Sequence, residues 1–115
     1  MSALTTAFTC GLAFRFRELV PVFTEHLTDN GGRVLPHLLI ADYAKFVTAD
    51  DGISKWKAEL LACLEEAFVR DSGEVGELIS VSFIENLPFA KGQHHWSIDH
   101  LGLRMREQYS VIFRV

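Results

Sequence analysis

The stretch ISKWKAELLACLEEAFVRDSGEVGELISVSFIENL, from Ile53 to Leu87, decides the fold of this chain. In its first half, apolar residues recur at helical spacing, with Lys57 and the acidic residues mostly off the apolar stripe. Asp71-Ser72-Gly73 then supplies a tight turn. The pattern predicts two consecutive amphipathic helices, with Asp51 able to cap the first and Ser72 the second. The apolar stripe of the first helix comprises Ile53, Trp56, Leu60, Leu64, Ala67 and Phe68.

The second helix of this pair, predicted from Glu74 to Leu87, is apolar around much of its circumference. Its LISVSFI segment is rich in Val, Ile and Phe, which also permits a strand. The alternation of apolar and polar residues is poor, however, and acidic residues at the start of the segment favour a helix. We therefore expect a central helix that is the most buried element of the fold.

Helices are also predicted on both sides of this pair. Pro21 and Pro36 fit first-turn positions of two helices. Ser97 is a candidate cap for a last helix that runs to Ile112. Residues 1–12 are expected to fray in part. With 115 residues, the chain is predicted to form one all-α domain, residues 1–115, of five or six short antiparallel helices.

Negative charge is concentrated between Glu59 and Glu85, a segment that contains seven acidic residues and one basic residue, Arg70. The net charge of this segment is -6, compared with -4 for the whole chain. Such a balance disfavours nucleic acid as a partner. No apolar run approaches the roughly 20 residues that cross a bilayer, so no membrane partner is expected. A segment whose charges are almost all negative favours a basic protein partner. The simpler interpretation, a solvated helix face, stays open.

The two cysteines, Cys10 and Cys63, are far apart in sequence and have no basic neighbours that would activate them. This usage suits a reduced, cytoplasmic protein with partly buried thiols. The first residues lack the basic region that opens a signal peptide.

A cluster of histidines near the C-terminal end is the first candidate for catalytic chemistry. Zinc binds through three or four converging nitrogen and oxygen ligands, and the cluster contains such groups. Its spacing lacks the His-Glu-x-x-His pattern of zinc proteases, which favours a polar loop and first helical turn. The residues concerned are His94, His95, Asp99 and His100.

Arg33 and His37 are the second catalytic candidate. Helical RNases of one large bacterial class use an Arg followed by a His, but here only three residues, including Pro36, separate the two. No positioned base or orienting group can be read beside them, so a loop arginine and a first-turn histidine are favoured.

The segments VLPHLLIADYAKFV, LLACLEEAF and ELISVSFIENL resemble a bacterial family of small acidic helical proteins with recurrent LLPH-LL-AD and ELI-VSF-ENL features. The resemblance covers roughly residues 25–87. The turn and second helix are similar to a HEAT-type helix pair. Presumed immunity proteins of contact-dependent growth inhibition and other polymorphic toxin systems are found among such proteins.

The resemblance implies a non-enzymatic, cytoplasmic immunity protein without metal or cofactor, which neutralises a toxin domain by direct binding. The partner is expected to be a basic toxin domain, with a nuclease as one candidate, and to bind one monomer in a heterodimer. A metal-dependent hydrolase or RNase, and a scaffold that self-associates through apolar surface, are the alternatives. Trp96 is an alternative to Trp56 as aromatic anchor. The predicted partner-binding residues are Glu59, Glu65, Glu66, Asp71, Glu74, Glu77 and Trp56.

Overall fold

A computed structural model describes residues 2–50, 52–90 and 94–115, and within these ranges the chain is helical and forms no strand. The predicted all-α class is confirmed, although these ranges contain seven α-helical segments rather than five or six. Asp51, the candidate cap of the fourth helix, lies outside the described residues. The α-helices are α1 (Ala3–Arg15), α2 (Val20–Asp29), α3 (Pro36–Val47), α4 (Lys55–Arg70), α5 (Glu74–Leu78), α6 (Trp96–Asp99) and α7 (Leu103–Phe113).

Helix α1 occupies the segment where partial fraying was expected. The Ser2 side chain accepts a hydrogen bond from the backbone N–H of Thr5 at 3.2 Å and caps the helix. On the inner side, the hydroxyl of Tyr43 in α3 donates to the Thr9 carbonyl at 3.1 Å, and burial raises the pKa of Tyr43. Leu12 is buried in the core. Tertiary packing therefore orders a helix that the sequence pattern only weakly indicates.

Helices α2 and α3 begin where the prolines predicted, with Pro21 at the second position of α2 and Pro36 at the first of α3. A buried histidine, His26, links them. Its Nε2 accepts a hydrogen bond from the backbone N–H of Leu35 at 3.0 Å, and its Nδ1 lies 3.8 Å from the Asp42 carboxylate. The imidazole thus satisfies a backbone donor in the connecting loop.

The turn between α4 and α5 differs in detail from the prediction. Gly73, not Ser72, occupies the cap position of α5. The Asp71 carboxylate accepts a hydrogen bond from the Gly73 N–H at 2.7 Å, which fixes the turn. Gly76 then passes so close to the turn that a Cβ there would lie 2.3 Å from the Asp71 carbonyl oxygen.

The predicted central helix exists as a continuous helical path, but its hydrogen-bond register changes. From α5 the chain enters a π-helical segment, Ile79–Phe83, and a 3₁₀ turn, Ile84–Asn86. The Asn86 side chain donates to the Ser82 carbonyl at 2.9 Å. Four apolar side chains of this path are fully buried, as expected for the centre of the fold: Leu78, Ile79, Phe83 and Ile84. Val81, in contrast, is 44% exposed.

The C-terminal helix is shorter than predicted, and Ser97 is not its cap. Ser97 lies inside α6, a single helical turn whose cap is His95, where Nδ1 accepts from the Ser97 N–H at 3.1 Å. Helix α7 begins only at Leu103, after a break at Gly102. Met105 and Tyr109 anchor α7 in the core.

Candidate protein-binding surface

The acidic residues predicted to bind a partner do not form one continuous face. Glu59 and Glu66 on α4, and Glu74 and Glu77 on α5, are exposed. The other two, Glu65 and Asp71, are half-buried, and their carboxylates accept hydrogen bonds from backbone N–H groups of the chain itself. The candidate surface therefore contains fewer free charges than the sequence indicates.

Glu65 has a structural position that the sequence does not reveal. Its carboxylate reaches from α4 to the start of α7, where it accepts hydrogen bonds from the backbone N–H groups of Arg104 at 2.8 Å and Met105 at 2.9 Å. These are two of the donors that the first turn of a helix leaves unpaired. The negative charge also interacts favourably with the positive end of the α7 dipole. Glu65 thus caps a helix from another part of the chain.

The remaining acids of α4 differ in their partners. Glu66 pairs with Arg70, one turn later, at 3.3 Å, and both side chains are largely exposed. Such a surface pair contributes little to stability. Glu59 is exposed and forms no ion pair with any residue in the described part of the chain. Glu59 is therefore the freer charge on α4.

Glu74 and Glu77 line one cleft of about 300 Å³ at the junction of α1, α3 and α5. Ser2 and Pro36 form other parts of its wall, together with the exposed His37. Within residues 2–50, 52–90 and 94–115, neither glutamate forms an ion pair. In this acidic cleft, two predicted binding residues lie together beside a concave surface.

Trp56 belongs to a second group of side chains, here called the Lys57 cluster: Asp50, Trp56, Lys57 and Trp96. Lys57 is buried, although the sequence interpretation placed it mostly off the apolar stripe. Its Nζ pairs with the Asp50 carboxylate and lies 5.9 Å and 5.3 Å from the ring centroids of Trp56 and Trp96. The Trp96 indole N–H donates to the Asp50 carbonyl at 2.8 Å. Both candidate aromatic anchors therefore hold a buried cation.

One signal in the sequence indicates the burial of Lys57. It lies three residues before Leu60 and seven before Leu64, which is the helical spacing of the buried stripe. An assignment by hydrophobicity alone excludes a lysine from that stripe, because its side chain is charged. Its long apolar stem fits between aromatic rings while the ammonium reaches a carboxylate at the surface.

The Lys57 cluster predicts a stability change in acid. The hydrogen bond from Lys57 holds the pKa of Asp50 below its usual value of 3.8. The ionised carboxylate therefore stabilises the fold above pH 3.8, and this contribution is lost as the pH falls through the lowered pKa. We expect Asp50→Asn to lower the melting temperature at pH 6 and to flatten its decline between pH 5 and roughly pH 2.5. Thermal unfolding can be followed by tryptophan fluorescence, because the only two tryptophans flank Lys57.

A matched comparison separates the charge from the packing. Lys57→Met removes the cation but keeps an unbranched apolar side chain between the rings, and the Asp50 that it leaves is exposed to water. It should cost less stability than Asp50→Asn, which leaves the buried ammonium without its counter-ion. A larger loss from Lys57→Met would contradict this account.

The histidine cluster does not assemble into a metal site in the part of the chain that the structure describes, where no group of three His, Cys, Asp or Glu side chains converges. His94 Nε2 contacts the Asp99 carboxylate at 2.8 Å, whereas His95 caps α6. In the second catalytic candidate, Arg33 with His37, the imidazole forms a hydrogen bond within the fold: His37 Nδ1 lies 2.5 Å from the hydroxyl of the buried Ser82.

Together these observations define a class, an all-helical chain with an acidic cleft formed by three of its helices. No protein-family model matches the chain, and comparisons with curated proteins and with solved structures found no match. Among the described residues, no helix is both long and apolar enough to span a bilayer.

Proposed function

We propose that this chain is a non-enzymatic binding protein that holds a basic protein partner at the acidic cleft. The observation that carries the proposal is the pair Glu74 and Glu77, exposed, close to each other and without ion-pair partners in the described ranges. Like charges beside a concave, low-dielectric surface strengthen the local field and attract a cation. Two basic side chains of a partner, arginine or lysine, would pair with the two carboxylates.

The partner to test first is a toxin domain, because the sequence resembles small helical proteins that include presumed immunity proteins. Under this proposal one chain binds one toxin domain in the bacterial cytoplasm and covers its active site or substrate-binding surface, without metal or cofactor. A nuclease fits the charge, since enzymes that hold phosphates have basic surfaces.

The exposed acids of α4 extend the proposed surface. Glu59 and Glu66 supply further negative charge, whereas Glu65 and Asp71 would act indirectly, by fixing α7 and the turn before α5. We propose that α4 and α5 form the HEAT-like pair that the resemblance implies. In such a pair the turn, held by Asp71, sets the position of Glu74.

Charge reversal tests the acidic cleft. We expect Glu74→Lys/Glu77→Lys to weaken toxin binding about 100-fold, or about tenfold for each desolvated charge pair. The association rate should fall as well, and high salt should reduce the difference between the wild type and the variant. The measurement is calorimetric or kinetic binding to the toxin domain encoded beside this chain, together with protection of cells that express that toxin. Glu25→Lys/Asp29→Lys on α2 makes the same change in net charge at two other exposed residues and serves as the control.

The possible outcomes separate the parts of the proposal. A wild-type chain that neither binds nor protects against the neighbouring toxin, or has no toxin gene beside it, would overturn the immunity function. Full protection by the charge-reversed cleft variant would keep that function but overturn the cleft as its surface. Equal losses from the two double variants would show only a dependence on net charge.

A further inference from the structure

The outer face of α1 has an unusual combination of exposure and neutrality. The exposed residues along it before Arg15 are Ala3, Leu4, Ala7, Gly11 and Phe14. From Ser2 to Phe14 no side chain is charged, in a protein whose net charge is -4. Phe14 is 94% exposed, the highest value among the large apolar side chains in the described part of the chain. With Leu4, which is 54% exposed, and the small residues between them, Phe14 forms a neutral apolar stripe, and contiguous apolar surface of this kind marks interfaces.

A groove lies near the other end of the same helix. It has a volume of about 370 Å³, with Leu4 and Phe8 of α1 in its lining on one side and Ala67 and Val75 of the α4–α5 corner on the other. Arg70, largely exposed, also lines it, as does Asp71, whose carboxylate accepts the hydrogen bond from Gly73. Phe14 is ten residues, or about 15 Å of helix, from Leu4. The chain thus carries a protruding aromatic side chain and an apolar groove at opposite ends of one helix.

The spacing along α1 is symmetric about Thr9. Thr9 itself is buried on the inner side of α1. Rotation about a twofold axis that crosses the outer face at the level of Thr9 places Leu4 opposite Phe14 and Ala7 opposite Gly11. In an antiparallel pair of α1 helices, the small residues would permit close approach at the centre, and each large residue would meet a large residue at the ends. An isologous interface requires this self-complementarity, in which residue i contacts j and j contacts i.

We infer that two copies of this chain associate through antiparallel α1 helices, with Phe14 of each copy seated in the groove beside Leu4 of the other. Each ring would also lie near Arg70, a favourable partner for an aromatic face. This proposal concerns the free chain, for which the sequence left self-association through apolar surface as an alternative to one monomer in a heterodimer. It does not depend on the toxin-binding proposal.

Charge and area support a second copy as the occupant. Two molecules of charge -4 repel each other, but the α1 helix is neutral from Ser2 to Phe14 and the acid that lines each groove, Asp71, lies beside Arg70. Each phenylalanine would bury about 200 Å². With the grooves that receive them and the central small residues, the interface reaches on the order of 1,000 Å², the lower end for specific association. The expected dimer is therefore weak, with a dissociation constant on the order of 10–100 µM.

Sedimentation or light scattering over a concentration series of roughly 5 to 500 µM, which brackets that dissociation constant, tests the dimer. We expect the wild type to convert from monomer to dimer over this range and Phe14→Glu to stay monomeric. Val111→Glu, which changes a 71% exposed valine on α7, should leave the dimer intact. Salt should strengthen the dimer, because it screens the repulsion between copies. Salt weakens the proposed toxin complex, so the two associations can be distinguished.

Cross-linking provides a second measurement. Cys10 is partly exposed and lies one residue from the proposed axis, and both cysteines are free. Oxidation of Cys63→Ser should give a disulfide-linked dimer through Cys10, whereas Cys10→Ser should give none by this route. A wild type that stays monomeric throughout, or a dimer unaffected by Phe14→Glu, would overturn the inference. Association of a monomeric wild type with lipid or another protein through Phe14 would do so as well.

Discussion

Replacing Gly76 with alanine is expected to destabilise the fold by about 3 kcal/mol, at the upper end of the usual cost of overpacking. The added Cβ would lie 2.3 Å from the carbonyl oxygen of Asp71, and a real contact of that kind is essentially never seen. The obstacle is backbone rather than a flexible side chain, so either the turn or α5 must move. Alanine's better helix propensity offsets only about 1 kcal/mol of this cost.

Gly11→Ala is the matched control for Gly76→Ala. It is the same substitution in another helix, but no neighbouring atom lies within 4 Å of the added Cβ. There the helix propensity acts alone, and we expect stabilisation of about 0.5–1 kcal/mol. Urea unfolding of both variants at low protein concentration would measure the difference. Equal effects of the two substitutions on the free energy of unfolding would show that the close approach of α5 to the turn does not require a glycine at position 76.

Glu65→Ala is expected to cost roughly 2 kcal/mol, whereas Glu66→Ala should cost less than about 0.5 kcal/mol. The two glutamates are adjacent in sequence and identical in charge. Glu65 satisfies two backbone N–H groups at the start of α7, and its loss leaves them without acceptors. Glu66 loses only an exposed ion pair with Arg70. Chemical unfolding of the two single variants measures the contrast directly.

Gly102 provides an independent test of the same contact. A Cβ at Gly102 would lie 2.3 Å from Cγ and 2.4 Å from Cδ of Glu65, so Gly102→Ala should displace the carboxylate and cost about as much as Glu65→Ala. The double variant should lose less stability than the sum of the two single losses, because the cap is already absent and only the 2.8 Å approach to the Cβ of residue 65 remains. Additive losses would contradict a shared mechanism.

Much of the helical fold could be predicted from local patterns. The stripe from Trp56 to Phe68 indicated α4, and Pro36 marked the start of α3, because helix periodicity and the fixed φ of proline are local properties. The apolar composition of the segment from Glu74 to Leu87 indicated a buried helix. Its π-helical portion was not foreseen, since that register accompanies the packing of the segment in the core. The break before α7 at Gly102 was also missed.

The candidate site was predictable only in its charge. The sequence determined by itself that the chain is helical, that its acids concentrate between Glu59 and Glu85, and that Glu74 and Glu77 begin a helix, because composition and periodicity are properties of neighbouring residues. The tertiary structure alone decided which carboxylates remain free. Glu65 caps α7 by accepting hydrogen bonds from two backbone N–H groups that lie 39 and 40 positions further along the chain. Lys57 is a buried cation between two tryptophans. A carboxylate is available to a partner only when no donor in the fold reaches it, and the position of those donors depends on how distant helices pack.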